Sequence, residues 1–278
     1  MPSLLSHLLA PSNRLTLIAA LLLLVVLSVW VAFTPVGILG KADAVGYAVC
    51  HRITIRSFAF GDNRQLPLCA RCTGMFLGAL IGLFGPGLLL GRKRMGLFPP
   101  LGIIAALIAF TVIWAFDGAN SYTFLLPPGV PHLYTPSNPL RLLTGIAHGI
   151  TMGSLLLPVA NSMLWADVKQ EAALGKAWHL LALLGVGGVV FALILLDLDI
   201  FLYPLALLSA AGVVTLLAAI NTVVMTSLFR RENTAHAFLD AMPMILLGLV
   251  VCFLIVGGID LMRFLATGTW DGFVNPPV

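Results

Sequence analysis

Long apolar runs separated by short polar breaks dominate the chain. A membrane-spanning helix needs about 20 predominantly apolar residues. Seven stretches qualify, at about 15–36, 73–90, 97–116, 141–164, 177–196, 201–228 and 239–262. The first, Leu15 to Val36, carries no charge. It is too long for the apolar core of a signal peptide, and no small-residue cleavage site follows, so it reads as an uncleaved first span. Trp30, Tyr47, Trp114, Tyr122, Trp165, Trp178, Tyr203 and Trp270 fall near predicted span ends, where amphipathic rings favour the interface. No internal repeat and no second domain interrupt the pattern. The expectation is an all-α integral membrane protein, a single domain over residues 1–278 built as a bundle of about seven transmembrane helices.

Composition narrows the class. Of the 278 residues 60% are hydrophobic and only 9% are charged, against about 25% charged in soluble domains. A soluble enzyme, a disordered chain and a nucleic-acid binder are excluded. The net charge of +4 comes from 15 basic residues with no run longer than Arg92-Lys93-Arg94. In such a chain the sign reports topology. With the N-terminus inside, the inner segments hold Arg14, Arg92, Lys93, Arg94, Lys169, Lys176, Arg230 and Arg231. The outer ones hold Lys41, Arg52, Arg56, Arg64, Arg71, Arg141 and Arg263. Eight against seven is a narrow margin. Five of the outer seven lie within 37–72, and without that segment the count is eight to two. The arrangement N-in/C-out is therefore expected, with the basic side chains of 37–72 serving a site.

That segment also carries three of the four cysteines, Cys50, Cys69 and Cys72. Pro67 suits the first turn of a helix, which would place Cys69 and Cys72 in the opening turn of the second span. Three apart, they share a face, and the positive end of the helix dipole favours thiolates. Three readings stay open. Cys69 and Cys72 with Cys50 or His51 have the general form of a zinc site, although adjacent Cys50 and His51 point to opposite faces of an extended chain. Alternatively, Cys69 and Cys72 form a redox pair that exchanges with Cys50, which an outer location permits. The plain reading is one inert disulfide or small buried side chains. Cys252, alone in the last span, reads as apolar filler. Arg52, Arg56, Arg64 and Arg71 surround the thiols. They are either a solvated or headgroup-facing loop or an anion site, since guanidinium forks at a helix start suit phosphate or carboxylate.

A second polar cluster lies at the ends of the third and fourth spans. Asp117 and Arg141 are expected to form an ion pair there, because charges at membrane depth need partners. His148, two turns below Arg141, reads as packing in preference to a proton relay. Asp260 and Arg263 can pair at i, i+3. Gly74, Gly78 and Gly82 in the second span, and Gly145, Gly149 and Gly153 in the fourth, form two small-residue ladders that permit close helix approach. If the ladders face each other, the thiols come near Arg141.

These residues resemble a known family. Cys50-His51, Arg56-Ser57-Phe58 and Pro67-x-Cys69-x-Arg71-Cys72-Thr73-Gly74 with Gly78 look like the signature of the prokaryotic membrane proteins called domain of unknown function 2085. Asp117-Gly118, Asn138, Arg141 and Gly145 resemble that family's second block. The resemblance covers about residues 45–155 and leaves an additional helical part at about 176–265. It implies a multi-pass protein of a prokaryotic plasma (inner) membrane but supplies no reaction. The leading functional expectation is a metal site, zinc or another transition metal, on Cys50, His51, Cys69 and Cys72. Arg52, Arg56, Arg71 and Arg141 would contact an anion or substrate, and Asp117 with Arg141 would brace the site. One alternative is a membrane thiol–disulfide oxidoreductase using Cys69 and Cys72 with no metal. Another is a transporter or accessory subunit whose working residues include Asn221 and Asp260. The expected partners are the bilayer and an anionic lipid or phosphate group, with no nucleic acid.

Overall fold

The structure, a computed structural model, describes residues 11–61, 63–123 and 133–272. Among these residues seven helices are long and apolar enough to cross a membrane. In chain order the helices are α1 (Pro11–Phe33), α2 (Ile38–Val49), α3 (Ala70–Leu88), α4 (Leu101–Thr123), α5 (Asn138–Leu164), α6 (Ala177–Leu195), α7 (Leu202–Leu228) and α8 (Phe238–Thr267). All but α2 are the spanning helices. Each satisfies its own backbone, which is the condition for crossing lipid.

Two elements depart from the hydropathy reading. The third span was expected over 97–116, but Pro99 and Pro100 delay the helix to Leu101 and it continues to Thr123. Asp117, Asn120 and Ser121 are therefore buried helical residues, not the start of a loop. Residues 124–132 of the expected Pro-rich loop lie outside the described residues. The second departure is α2, a short helix that the search for long apolar runs passes over. Its buried face is Ala42, Ala44, Val45, Gly46, Tyr47 and Ala48. Lys41 at its start donates from Nζ to the carbonyls of Val31 and Thr34 (2.9 Å to the latter), satisfying carbonyls at the end of α1 that have no helical partner.

The centre of the fold is the α3–α5 pair. A Cβ at Gly74, Gly78 or Gly82 would collide with the carbonyl oxygens of Leu142, Ile146 or Ile150. A Cβ at Gly145, Gly149 or Gly153 would collide with those of Arg71, Met75 or Ala79. The two glycine ladders thus face each other with backbone against backbone. Helices α4, α6 and α7 pack around this pair; Gly212 of α7 lies against the Phe76 backbone of α3. Helix α8 packs on α7 and carries α1 on its other side.

The connections sort into two ends. At one end, β3 (Met95–Leu97) pairs in parallel with β4 (Lys169–Ala172). There Ala166 N–H donates to the Ala235 carbonyl at 2.9 Å, and Arg92 pairs with Glu171 and Arg94 with Asp167. At the other end lie α2 and the small β1–β2 hairpin (Ala59–Phe60, Arg64–Gln65). The Asp199 turn joins them, with the Gly61 N–H donating to its Oδ1 at 2.6 Å. This second end holds the cysteines.

Candidate metal centre and its arginine neighbours

Two helix ends meet to make the thiol cluster. Cys50 is the C-cap of α2 and Cys69 the N-cap of α3. Gly46 of α2 lies so close to the Pro67 carbonyl that a Cβ there would collide with it, so the two ends are drawn together. Pro67 precedes the helix, which begins three residues later at Ala70; the expected placement of Pro67 in the first turn is corrected. Cys69 thus caps α3, its carbonyl accepting from the Thr73 N–H at 2.8 Å, while Cys72 lies in the first turn. The Sγ atoms of Cys50, Cys69 and Cys72 all lie within 4.8 Å of one another. Around a tetrahedral zinc, sulfurs at about 2.3 Å from the metal are about 3.8 Å apart. No disulfide joins these cysteines. His51, expected as a fourth ligand, is exposed and outside the three-sulfur group.

The backbone is shaped around the Cys50 sulfur. It accepts the N–H of Arg52 at 3.4 Å and that of Cys69 at 3.3 Å. Arg52 reaches that position with φ +50°, a left-handed conformation that a side chain adopts at a cost. N–H donors aimed at a sulfur stabilise its anionic or metal-bound form. Hydrogen bonding to Cys69 and then burial push the Cys50 thiol up to about 12. Hydrogen bonds from Cys50 and Cys72, with support from Arg71, hold the Cys69 thiol well below its usual range.

The arginines separate into two groups. Arg52 and Arg64 both pair with Asp43 of α2, at 3.3 and 2.5 Å. Their charge is shared with a carboxylate that the sequence did not single out, and Arg52 leaves the expected anion set. Arg56, Arg71 and Arg141 form the second group. Arg71 pairs with Asp117 and donates to Ser121 Oγ at 2.9 Å. Arg56 donates to the Ser121 carbonyl at 2.6 Å. Arg141 donates to Asn138 Oδ1 at 2.8 Å, and the Asn138 amide bonds the carbonyls of Ile55 and Ser57. The ion pair expected between Asp117 and Arg141 is corrected: Asp117 is taken by Arg71 of α3 and by the Tyr134 hydroxyl at 2.8 Å. Burial and then the Asp117 carboxylate push the Tyr134 phenol up to about 12, so it stays a donor at neutral pH. Tyr134 carries no sequence signal, because its contact bridges a loop to a helix.

Two further residues anchor the site. Arg263 of α8 donates to the carbonyls of Tyr47 and Cys50, the latter at 2.7 Å, and lies over the Tyr47 ring at 3.9 Å. Asp260 accepts from Trp30 Nε1 at 3.0 Å. The i, i+3 spacing of Asp260 and Arg263 thus serves two different neighbours. His148 stacks on Trp114 at 4.1 Å and bonds the Thr111 hydroxyl at 3.2 Å, which is a packing role.

Comparison with known proteins finds the same stretch. Residues 50–155 match the family described as Predicted membrane protein (DUF2085). This is the family that the cysteine block resembles. The matched residues run from Cys50 through the α3–α5 pair, so they contain both polar clusters. An uncharacterized protein of Methanocaldococcus jannaschii, MJ1492, is 28% identical over 126 residues, covering 45% of this chain and 72% of that protein. No solved structure matches. The chain is accordingly a multi-pass membrane protein with a cluster of three cysteines that could hold a metal ion.

Proposed function

We infer that the protein is a metal-binding membrane protein of a prokaryotic plasma membrane, with one zinc-like ion held by Cys50, Cys69 and Cys72 at the extracytoplasmic surface. The observation that carries this reading is the mutual approach of three sulfurs within 4.8 Å, contributed by two helix ends and braced by backbone N–H donors. Three soft thiolates suit zinc and exclude magnesium or calcium, which take oxygen ligands. Three protein ligands leave the fourth tetrahedral position to water or another ligand, the pattern of catalytic in preference to purely structural zinc. The basic residues gathered at the opposite end of the bundle support placement outside.

Elemental analysis of the protein purified without chelator tests the reading. One equivalent of zinc per chain is expected in the wild type and in Cys252→Ser, and none in Cys69→Ser/Cys72→Ser. Metal-free wild type overturns it. The same free thiols support a second reading, a thiol–disulfide oxidoreductase. Thiol titration with and without reductant separates the two, because a redox pair changes its count and a metal site does not.

A further inference from the structure

The arginine group beside the thiols carries more charge than the described residues neutralise. Arg56, Arg71 and Arg141 lie within electrostatic reach of one another. Among the described residues, Asp117 is the carboxylate that acts on them, and the Cys69 sulfur is the other anionic neighbour. Segment 124–132 reads Phe-Leu-Leu-Pro-Pro-Gly-Val-Pro-His and has no carboxylate to add. Arg141 is only 5% exposed. The Nε–H of each of the three guanidinium groups is buried and has no acceptor among the described residues. A buried cation without a partner is costly, and at the edge of a bilayer that cost is greater. Arg52 also has a buried Nε–H without an acceptor, but its charge, with that of Arg64, is met by Asp43.

We propose that Arg56, Arg71 and Arg141 form a binding site for a phosphate-class oxyanion, either inorganic phosphate or the phosphomonoester headgroup of a lipid. Three guanidinium forks against one carboxylate and the adjoining Cys69 sulfur leave a net positive site that an oxyanion matches. Guanidinium geometry is complementary to phosphate oxygens. Arg71 and Arg141 stand in the first turns of α3 and α5, where the helix dipoles add positive potential. The site rests on the arginines and not on the metal, although it adjoins Cys69.

The test uses the full chain in neutral detergent and in nanodiscs. Inorganic phosphate is titrated by calorimetry against wild type, Arg56→Gln, Arg56→Lys and Arg64→Gln. In parallel, Tm is measured in phosphatidylcholine nanodiscs with and without phosphatidic acid. Binding is expected in wild type and in Arg64→Gln, weakened about tenfold in Arg56→Gln, the loss of one charge-assisted contact, and less in Arg56→Lys. A response to inorganic phosphate identifies a soluble ligand; a Tm increase with phosphatidic acid alone identifies a lipid headgroup. Absence of both responses in wild type overturns the proposal, as does equal binding by Arg56→Gln and wild type. Zinc is measured on the same samples: Arg56→Gln retaining its zinc while losing phosphate keeps this result separate from any failure of the metal reading.

Discussion

The α3–α5 and α7–α8 pairs are neighbours in one bundle, the first parallel and the second antiparallel, and they are held in different ways. In α3–α5 six glycines bring backbone onto backbone, and 56% of each spanning window is buried. In α7–α8 the contact runs through side chains such as Val213, Leu216, Cys252 and Val256, with one close approach at Gly248 against Thr222. Only 33% of the α8 window is buried. Helix α1 leans on α8 so loosely that an apolar cleft of about 760 Å³ opens between them, bordered by Trp30, Phe253 and Asp260. Lipid tails are as apolar as leucine, so helices in a bilayer associate through packing and polar contacts in place of the hydrophobic effect. The glycine pair maximises packing, and that pair carries the polar site. Precise placement of thiols and guanidinium groups needs a scaffold that cannot slide.

Substitutions should separate the two pairs. The largest effect is expected for Gly149→Leu, whose side chain would have to displace the Met75 backbone. A loss of about 3 kcal/mol or more, or no folded protein, is expected. Gly258→Leu in α8, with nothing near its Cβ position, should leave Tm unchanged in detergent thermal unfolding. A similar result for both would erase the distinction between the pairs. Next is Arg71→Met, which strands the Asp117 carboxylate, only 2% exposed. Removing one partner of a buried pair costs about 3–5 kcal/mol, and adding Asp117→Asn should recover part of it. Arg94→Met, in an exposed pair at the far end, should not move Tm. The smallest effect is expected for Trp30→Phe, which removes the donor to Asp260 at about 1–3 kcal/mol. Because α1 rests loosely on α8, this change should loosen α1 while zinc content stays intact. Protease cleavage after the first span, compared with metal analysis, reads both.

The spans were legible because an uncharged run of about 20 residues has few alternatives in a membrane protein. The thiols were legible because their spacing fits the start of a helix, and the glycine ladders because a repeat every four residues marks one face. What stayed hidden was non-local. Asp43 sits in a 12-residue helix that carries both Lys41 and Asp43 and so breaks the apolar pattern. Its pairing with Arg52 and Arg64 depends on how α2 folds back. Hydropathy ended the third span at the first charge, Asp117, although burial and two hydrogen-bonding partners, Arg71 and Tyr134, let the helix carry it inside. His51 was drawn into the ligand set by adjacency to Cys50. The turn at Arg52 brings a backbone N–H back onto the sulfur, and the ring is left exposed.

The junction of Cys50 with Cys69 has a consequence for control. These residues end one helix and begin the next, 19 positions apart, and a backbone N–H already touches the sulfur across the gap. A covalent or coordinate link there closes a loop of a size for which restraint is worth about 3 kcal/mol in chain entropy. The stretch so closed contains Arg56 and the small hairpin. An ion on the three thiols would act as a clasp on this strap, and exhaustion of metal would release it.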